Sequence, residues 1–548
     1  LDSLHFTTPA DFKMTATIPG ATLAVNDTTL RYQIYALAKP MAPGDSMLIE
    51  IESNYISKGI ENEVSNLQVV ENGTFVNNSA FMPTFGYDAS RELSSRDDRR
   101  ENELPKRPRM PELTHDCTKS CANTYISSDA DWVDVRSVLS TSPDQVAIAP
   151  GSLVREWEEN GRRYFEYALD HKALNFYSFI SGAFEIERDV WSGPSGETVD
   201  VEIYYHPGHE YNVDKMVKSV KHSLTYCSAN FGPYPHTQAR IIEFPRYASF
   251  AQAFPGTMPY SESIGFMADL REEDAIDGVY YVVAHEMAHQ WWAHQVIGAL
   301  VQGATMMSET FAQYSALMVM EEEYGKDKMK QFLEYEMDRY LRGRSGEREG
   351  EQPLLYNENQ AYIHYRKGSV VMYALREYIG EDSLNAALRQ YVDAVAYQEA
   401  PYTTSLECIE FIKAATPDSL QYLIEDMFET ITLYSNRTTD ATYKELPDGR
   451  YEVSLEVEVA KFRADSVGRE SPIEFNDWIE IGVLAEAEEG KQNNRMLKVE
   501  RHRIDSPTAS FKLIVDEEPV EAGIDPNYLL IDRFPDDNVK KLTRLDES

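Results

Sequence analysis

Hydrophobic and polar positions alternate with a period of two through most of the first two hundred residues. "SMLIEIESNYI" (46–56), "RYFEYALDHK" (163–172) and "VDVEIYYH" (199–206) show it, with turn residues between them. A period of two sends successive side chains to opposite faces, the pattern of antiparallel strands with one face buried. From about 208 to 433 the apolar spacing becomes helical, as in "DKMVKSVKHSLTYCSANFG", "SETFAQYSALMVMEEEYG" and "KGSVVMYALREYIG". The last two stop at a glycine, where a helix C-terminus is expected. After about 436 strands return in "RYEVSLEVEVAKF", "DWIEIGVLAEA" and "ASFKLIVDE". The pattern predicts a multi-domain chain: a β-sandwich over 1–207, a mostly α domain over 208–435 and a small β-sandwich over 436–548. One stretch interrupts it. "SRELSSRDDRRENELPKRPRMPE" (90–112) is highly charged and punctuated by proline, and reads as a solvated loop with one helical turn.

Length agrees with this division, since 548 residues exceed what one hydrophobic core organises. Charge narrows the partners. With 52 basic against 91 acidic residues the net charge is -39, which argues against nucleic acid and anionic membrane surfaces and suits cationic ligands such as peptide amino termini. No run of about 18 apolar residues occurs, so no segment of this chain is expected to span a bilayer as a helix. Of the four cysteines, Cys117 and Cys121 lie together in "CTKSC" beside His115. No second ligand pair follows at zinc-finger spacing, so a local disulfide or two free thiols is the expectation rather than a metal knuckle. The cellular compartment is left open by these residues.

Chemistry concentrates in "VVAHEMAHQWW" (282–292). On a helix, His285 and His289 lie on one face a turn apart, and their imidazoles can reach one tetrahedral zinc at about 2.0–2.1 Å. Glu286 can reach a water on that zinc without being a ligand. Two histidines on a buried helix are the bland alternative, and a third ligand decides between them. "MMSETFAQYSALMVMEEEYG" supplies Glu309 at the start of the next helical pattern, twenty residues after His289. Three protein ligands with an open fourth position describe catalytic rather than structural zinc.

"HEMAHQWW" followed by a helix-opening Glu resembles the zinc aminopeptidases of the aminopeptidase N and leukotriene hydrolase family. That family places 18 residues between the second His and the Glu; this chain has 19, Gln290 to Ser308, and reads "SETFAQY" where the family usually reads "NEGFATY". The family also carries a Tyr, an acid, Lys and Gly downstream. "YRKGSVVMYALREYIG" places Tyr365 there, eighty residues after His285, with Arg366 in place of the acid. A phenol at that place can donate to a developing oxyanion. Upstream, a family Gly-x-Met-Glu-Asn segment lies along the substrate, and its Glu holds the free amine. This chain reads "FPGTMPYSESIGF": Gly256, Thr257 and Met258 fall on the segment, Pro259 and Tyr260 replace Glu and Asn, and Glu262 is the nearest acid.

The resemblance implies a β-sandwich, a thermolysin-like zinc-peptidase domain and a small β-sandwich in that order. It implies one Zn2+ per chain on His285, His289 and Glu309, with Glu286 as general base and Tyr365 as oxyanion donor. Gly256, Thr257, Met258 and Glu262 would bind the peptide, and residues would be removed from peptide amino termini. The variant "VAHEMAHQWWAHQVIGALVQGATMMSET" looks most like bacterial peptidase domains fused to ABC transporter permeases. That likeness implies membrane association through flanking segments, with the side of the membrane and the oligomeric state left open. Two alternatives accompany the expectation: a peptide-binding or sensory module of a transporter without turnover, and a peptidase without amino-terminal restriction.

Overall fold

The structure is a computed structural model that describes residues 1–57, 68–88, 91–271, 276–488 and 493–545. The chain divides into two compact units, one of 1–269, 278–301 and 392–404, the other of 270–277, 302–391 and 405–548.

The first unit is rich in strands. Antiparallel sheets occupy its beginning: one orders Ala21–Asp27, Tyr32–Leu37, Ser3–Thr7 and Thr84–Phe85, and another orders Ser152–Glu159, Arg162–Ala168 and Arg136–Thr141. The expected strands at 46–56, 163–172 and 199–206 appear as Glu50–Asn54, Arg162–Ala168 and Thr198–Tyr205. Among the described residues of the charged stretch, the α-helix Arg96–Glu101 starts where the Ser95 side chain accepts the Asp98 N–H; Ser90, at the front of that stretch, lies outside the described residues. Cys117 and Cys121 are disulfide-bonded, with Cα atoms 5.5 Å apart.

The unit's functional scaffold is a four-stranded mixed sheet ordered Glu185–Ser192, Thr198–Tyr205, Gln238–Phe244 and Thr257–Ser261. The first pairing is antiparallel and the other two are parallel. The last two strands lie inside the span whose pattern reads as helical. Every residue of each is buried, so neither shows the alternation that marks a half-exposed strand. The helix Val213–Phe231 makes the crossover between the first parallel pair and ends at Gly232, at φ +122°. Ser219 Oγ on this helix donates to the Tyr280 carbonyl at 2.7 Å, which fixes the helix Gly278–Ala288 beside it.

The second unit begins with helices and ends with strands. Phe311–Tyr324 stops at Gly325 (φ +81°) and Gly368–Ile379 at Gly380 (φ +88°), so both expected glycine stops adopt the backbone that favours glycine. The strands Ile431–Glu445, Tyr451–Ala464 and Thr508–Val515 lie in one sheet, and Asp477–Ala485 and Glu521–Ile524 in another. Tyr451–Ala464 buries Val453, Leu455, Val457 and Val459 while Glu456 and Glu458 stay exposed. Those valines and Leu455 join Ile479, Ile481, Val483 and Ile524 in one core, the packing of a sandwich. The chain therefore has a β-rich front, a helical centre and a β back, as the pattern predicts. Among the described residues no helix is long and apolar enough to cross a membrane.

Candidate metal centre

The helix Gly278–Ala288 carries His285 and Glu286, all but buried. It ends one residue before His289, yet the His289 N–H still bonds the His285 carbonyl at 3.2 Å, so the helical turn needed to align the two rings is kept. Their Nε2 atoms stand 3.0 Å apart and the rings meet edge to face at 82°. Neighbouring ligands of a tetrahedral zinc, with bonds of about 2.0–2.1 Å, stand about 3.3 Å apart. The Nδ1 of His289 lies 2.8 Å from the Trp292 carbonyl. A carbonyl only accepts, so Nδ1 carries the proton and Nε2 keeps its lone pair for a metal.

Glu309 lies on a π-helical turn, Met306–Thr310, that opens the helix Phe311–Tyr324. His285, His289 and Glu309 each offer one ligand atom, and these atoms lie within 4.8 Å of one another. Two imidazoles and a carboxylate form a donor set that fits a zinc ion. The segment holds one more histidine, His294, whose Nε2 points instead to the Ala253 carbonyl at 3.1 Å. Burial, chiefly, holds its pKa down at about 4, so it adds no charge beside His289 at neutral pH.

Tyr365 is half-buried on a second π-helical turn, Tyr362–Lys367, which leads into Gly368–Ile379. The two π turns are tied together, because Thr310 Oγ1 donates to the His364 carbonyl at 2.7 Å. Gly368 permits that approach: a Cβ there would stand 2.5 Å from Thr310 Oγ1. Arg366 makes two hydrogen bonds, at 2.7 and 3.0 Å, to the buried carboxylate of Glu336 on the helix Lys326–Ser345. Burial outweighs the opposing pull of Arg366 and leaves the Glu336 pKa raised to about 7. The basic residue in "YRKG" thus has a partner thirty residues upstream that its neighbours in sequence do not suggest.

The "PGTMPYSES" segment forms the strand Thr257–Ser261, paired in parallel with Gln238–Phe244. Gly256 enters it at φ +58°, and a Cβ would stand 2.9 Å from the Gln238 carbonyl, so glycine is required. Its N–H donates to Gln290 Oε1 at 2.9 Å and its carbonyl accepts from Arg240 N at 3.0 Å. Thr257 exchanges N–H···O bonds of 3.0 and 2.9 Å with Phe254. Met258 is buried. Glu262 follows the strand, and its Oε1 accepts the Arg246 N–H at 3.2 Å. Sequence reasoning passed over Gln290, fully buried next to His289. Its amide bonds Gly256 N–H on one side and the Phe254 carbonyl, at 3.1 Å, on the other. A polar residue inside an otherwise apolar "HQWW" run was the available signal.

Residues 215–426 match the sequence profile of the Peptidase family M1 domain. Among curated proteins, the chain is 24% identical over 262 residues to endoplasmic reticulum aminopeptidase 2 of Homo sapiens, covering 46% of this chain and 26% of that protein. It is 22% identical over 267 residues to leucyl aminopeptidase of Saccharolobus solfataricus, covering 45% of this chain and 32% of that protein. The matched region is thus about a third or less of either relative's length. In fold the chain is similar to Legionella pneumophila aminopeptidase A, with a TM-score of 0.57 at 15% identity over 100% of this chain and 56% of that one. It is also similar to a variant of an M1 zinc metallopeptidase from Deinococcus radiodurans, with a TM-score of 0.53 at 16% identity over 78% of this chain and 86% of that one. The likeness to these structures is one of fold, a β-rich front, a helical centre and a β back.

Proposed function

We propose that this chain is a zinc-dependent peptidase of the M1 family that removes residues from peptide amino termini. The observation that carries the proposal is the convergence of His285, His289 and Glu309. The profile match over 215–426 supports the family and the aminopeptidase relatives support the reaction.

One zinc ion, when bound by these three residues, supplies a Lewis acid for the attacking water and the scissile carbonyl. Glu286 accepts the proton of the water and passes it to the leaving amine. It is buried on the same helix as His285, one residue on from that ligand. Tyr365 donates its hydroxyl to the oxyanion of the tetrahedral intermediate. The family's 18-residue interval is one shorter than the interval here, and a π turn holds one residue more than an α turn. Met306–Thr310 is such a turn and contains Glu309, which supports Glu309 as the third ligand despite the longer spacing.

Gly256, Thr257 and Met258 form the substrate edge in this reading. Because Gly256 and Thr257 are held by internal hydrogen bonds, they act by shaping the cleft, and Met258 fixes the strand in the core. Glu262 pairs with the cationic amine of the peptide, exchanging its contact with the Arg246 N–H for a stronger, charge-assisted one. Tethering to a transporter permease, in a bacterial membrane, follows from the likeness of the "VAHEMAHQWWAHQVIGALVQGATMMSET" segment alone.

The test compares a free-amine peptide with its acetylated twin, in wild type and Glu262→Ala. Wild type is expected to cleave the free amine far faster, and the mutant to lose most of that preference. Equal cleavage of both by wild type would replace the aminopeptidase reading with a peptidase lacking amino-terminal restriction. Binding of peptides without any cleavage would favour a transporter-linked binding module.

A further inference from the structure

We propose that His206, His209 and Glu243 form a second metal site, for a borderline divalent cation of the zinc class. The three residues each offer one ligand atom, all within 4.8 Å of one another. They share no residue with the His285 group.

The site is built by the mixed sheet of the first unit. Glu243 lies on the strand Gln238–Phe244, and His206 directly follows the neighbouring strand Thr198–Tyr205. These strands run parallel, with Tyr204 opposite Ile242, so both donors emerge at strand carboxyl ends, where α/β sheets place ligands. His209 is brought back by a turn in which its N–H bonds the His206 carbonyl at 3.0 Å.

The Glu243 side chain is fully buried. A buried carboxylate must be neutralised, paired with a cation or bound to a metal. Among the described residues its ion-pair contacts are the two imidazoles, each charged only if protonated. The His206 N–H donates to Oε2 at 2.6 Å, which leaves Oε1 facing the rings. His209 Nδ1 stands 2.5 Å from Oε1 and His206 Nδ1 3.3 Å from it. The longer distance is already the ligand–ligand edge of tetrahedral zinc, about 3.3 Å. The shorter one is a hydrogen-bond distance that a metal would replace, opening it by less than about 1 Å. The Nε2 of His206 is buried without a hydrogen bond, so the ring makes its polar contacts on the Glu243 side. The imidazole side chains are 12% and 25% exposed, enough for an ion to enter and for water to complete the coordination.

An ion here joins the end of Thr198–Tyr205 and the 3-10 turn Glu210–Asn212, which opens the crossover helix, to Gln238–Phe244.

The full chain, stripped by chelator, is titrated calorimetrically with Zn2+ and separately with Co2+. The same titrations are made in His285→Ala/His289→Ala, which lacks the first group, and in that background with His209→Ala. Wild type is expected to take two equivalents, the double variant one and the triple variant none. No Zn2+ uptake by the double variant, or equal uptake by double and triple variants, overturns the proposal. If the triple variant does not fold, the Co2+ spectrum of the double variant decides. Intense four-coordinate visible bands uphold the site, and weak six-coordinate absorption overturns it.

Discussion

The two His–His–Glu groups have the same donors and differ in how the chain assembles them. His285 lies on one helix and His289 directly follows it, bonded back to the His285 carbonyl, so spacing alone aligns the rings. His206, His209 and Glu243 come from two parallel strands and a turn, and only the sheet register brings them together. The first group has Glu286 beside His285 and, in the proposed mechanism, Tyr365 as donor. The second includes a fully buried carboxylate, Glu243, and has Phe184 centred 5.0 Å from the His206 ring. The two proposals therefore give identical donors different tasks, catalysis at the first group and a structural tie at the second.

That contrast is broken most directly at Glu286. Glu286→Gln should keep metal content and fold while hydrolysis falls by about 10²–10⁴-fold, the range for a lost acid–base group. Retained turnover with an acetylation-insensitive peptide would remove the general base from Glu286. Next in size is Tyr365→Phe, for which kcat should fall about 10²-fold with little change in KM, since an oxyanion donor acts in the transition state. Activity within a few-fold of wild type would make Tyr365 a packing residue. Glu309→Ala should remove one metal equivalent by elemental analysis and leave the His206 group loaded; loss of neither would mean that the longer spacing misses the metal. A smaller effect is expected at Gly368→Ala, whose methyl would press on Thr310 Oγ1 at 2.5 Å. Overpacking there should cost about 1–3 kcal/mol in chemical denaturation.

The smallest effect concerns pH. Lys367 is wholly buried, and desolvation holds its pKa down at about 8 from 10.5. A base whose folded pKa lies below its unfolded value binds fewer protons when folded, so stability rises with pH between about 8 and 10.5. Denaturation midpoints measured across that window should climb in wild type and climb less in Lys367→Met.

The β–α–β order, the two glycine-stopped helices and the helix bearing "HEMAH" were legible because each rests on local periodicity. The strands Gln238–Phe244 and Thr257–Ser261 were not: every residue of each is buried, yet Gln238, Arg240, Glu243, Thr257 and Ser261 break the apolar run, so neither alternation nor a continuous apolar stretch marks them. Neither π turn was foreseeable: the shift from i+4 to i+5 bonding at Met306–Thr310 and Tyr362–Lys367 has no composition signal. The role of Arg366 was not legible because its partner Glu336 lies on another helix. The second metal group escaped for the same reason, with 34 residues separating His209 from Glu243. Glu262 could be nominated by proximity alone, and its contact with Arg246 depends on a turn that proximity does not describe.

Gln290 has a consequence for how such a molecule can change. Its one amide grips the Gly256 N–H and the Phe254 carbonyl, while its backbone directly follows His289. A drift in the metal-bearing turn is therefore transmitted to the glycine that starts the neighbouring strand, and a drift in the strand is transmitted back. Widening that edge to admit a bulkier ligand would strain an imidazole's aim, and re-aiming the imidazole would reshape the edge. Variation in selectivity is pushed towards positions outside this linkage, such as Ser263 and the residues after it, which lie beyond the strand.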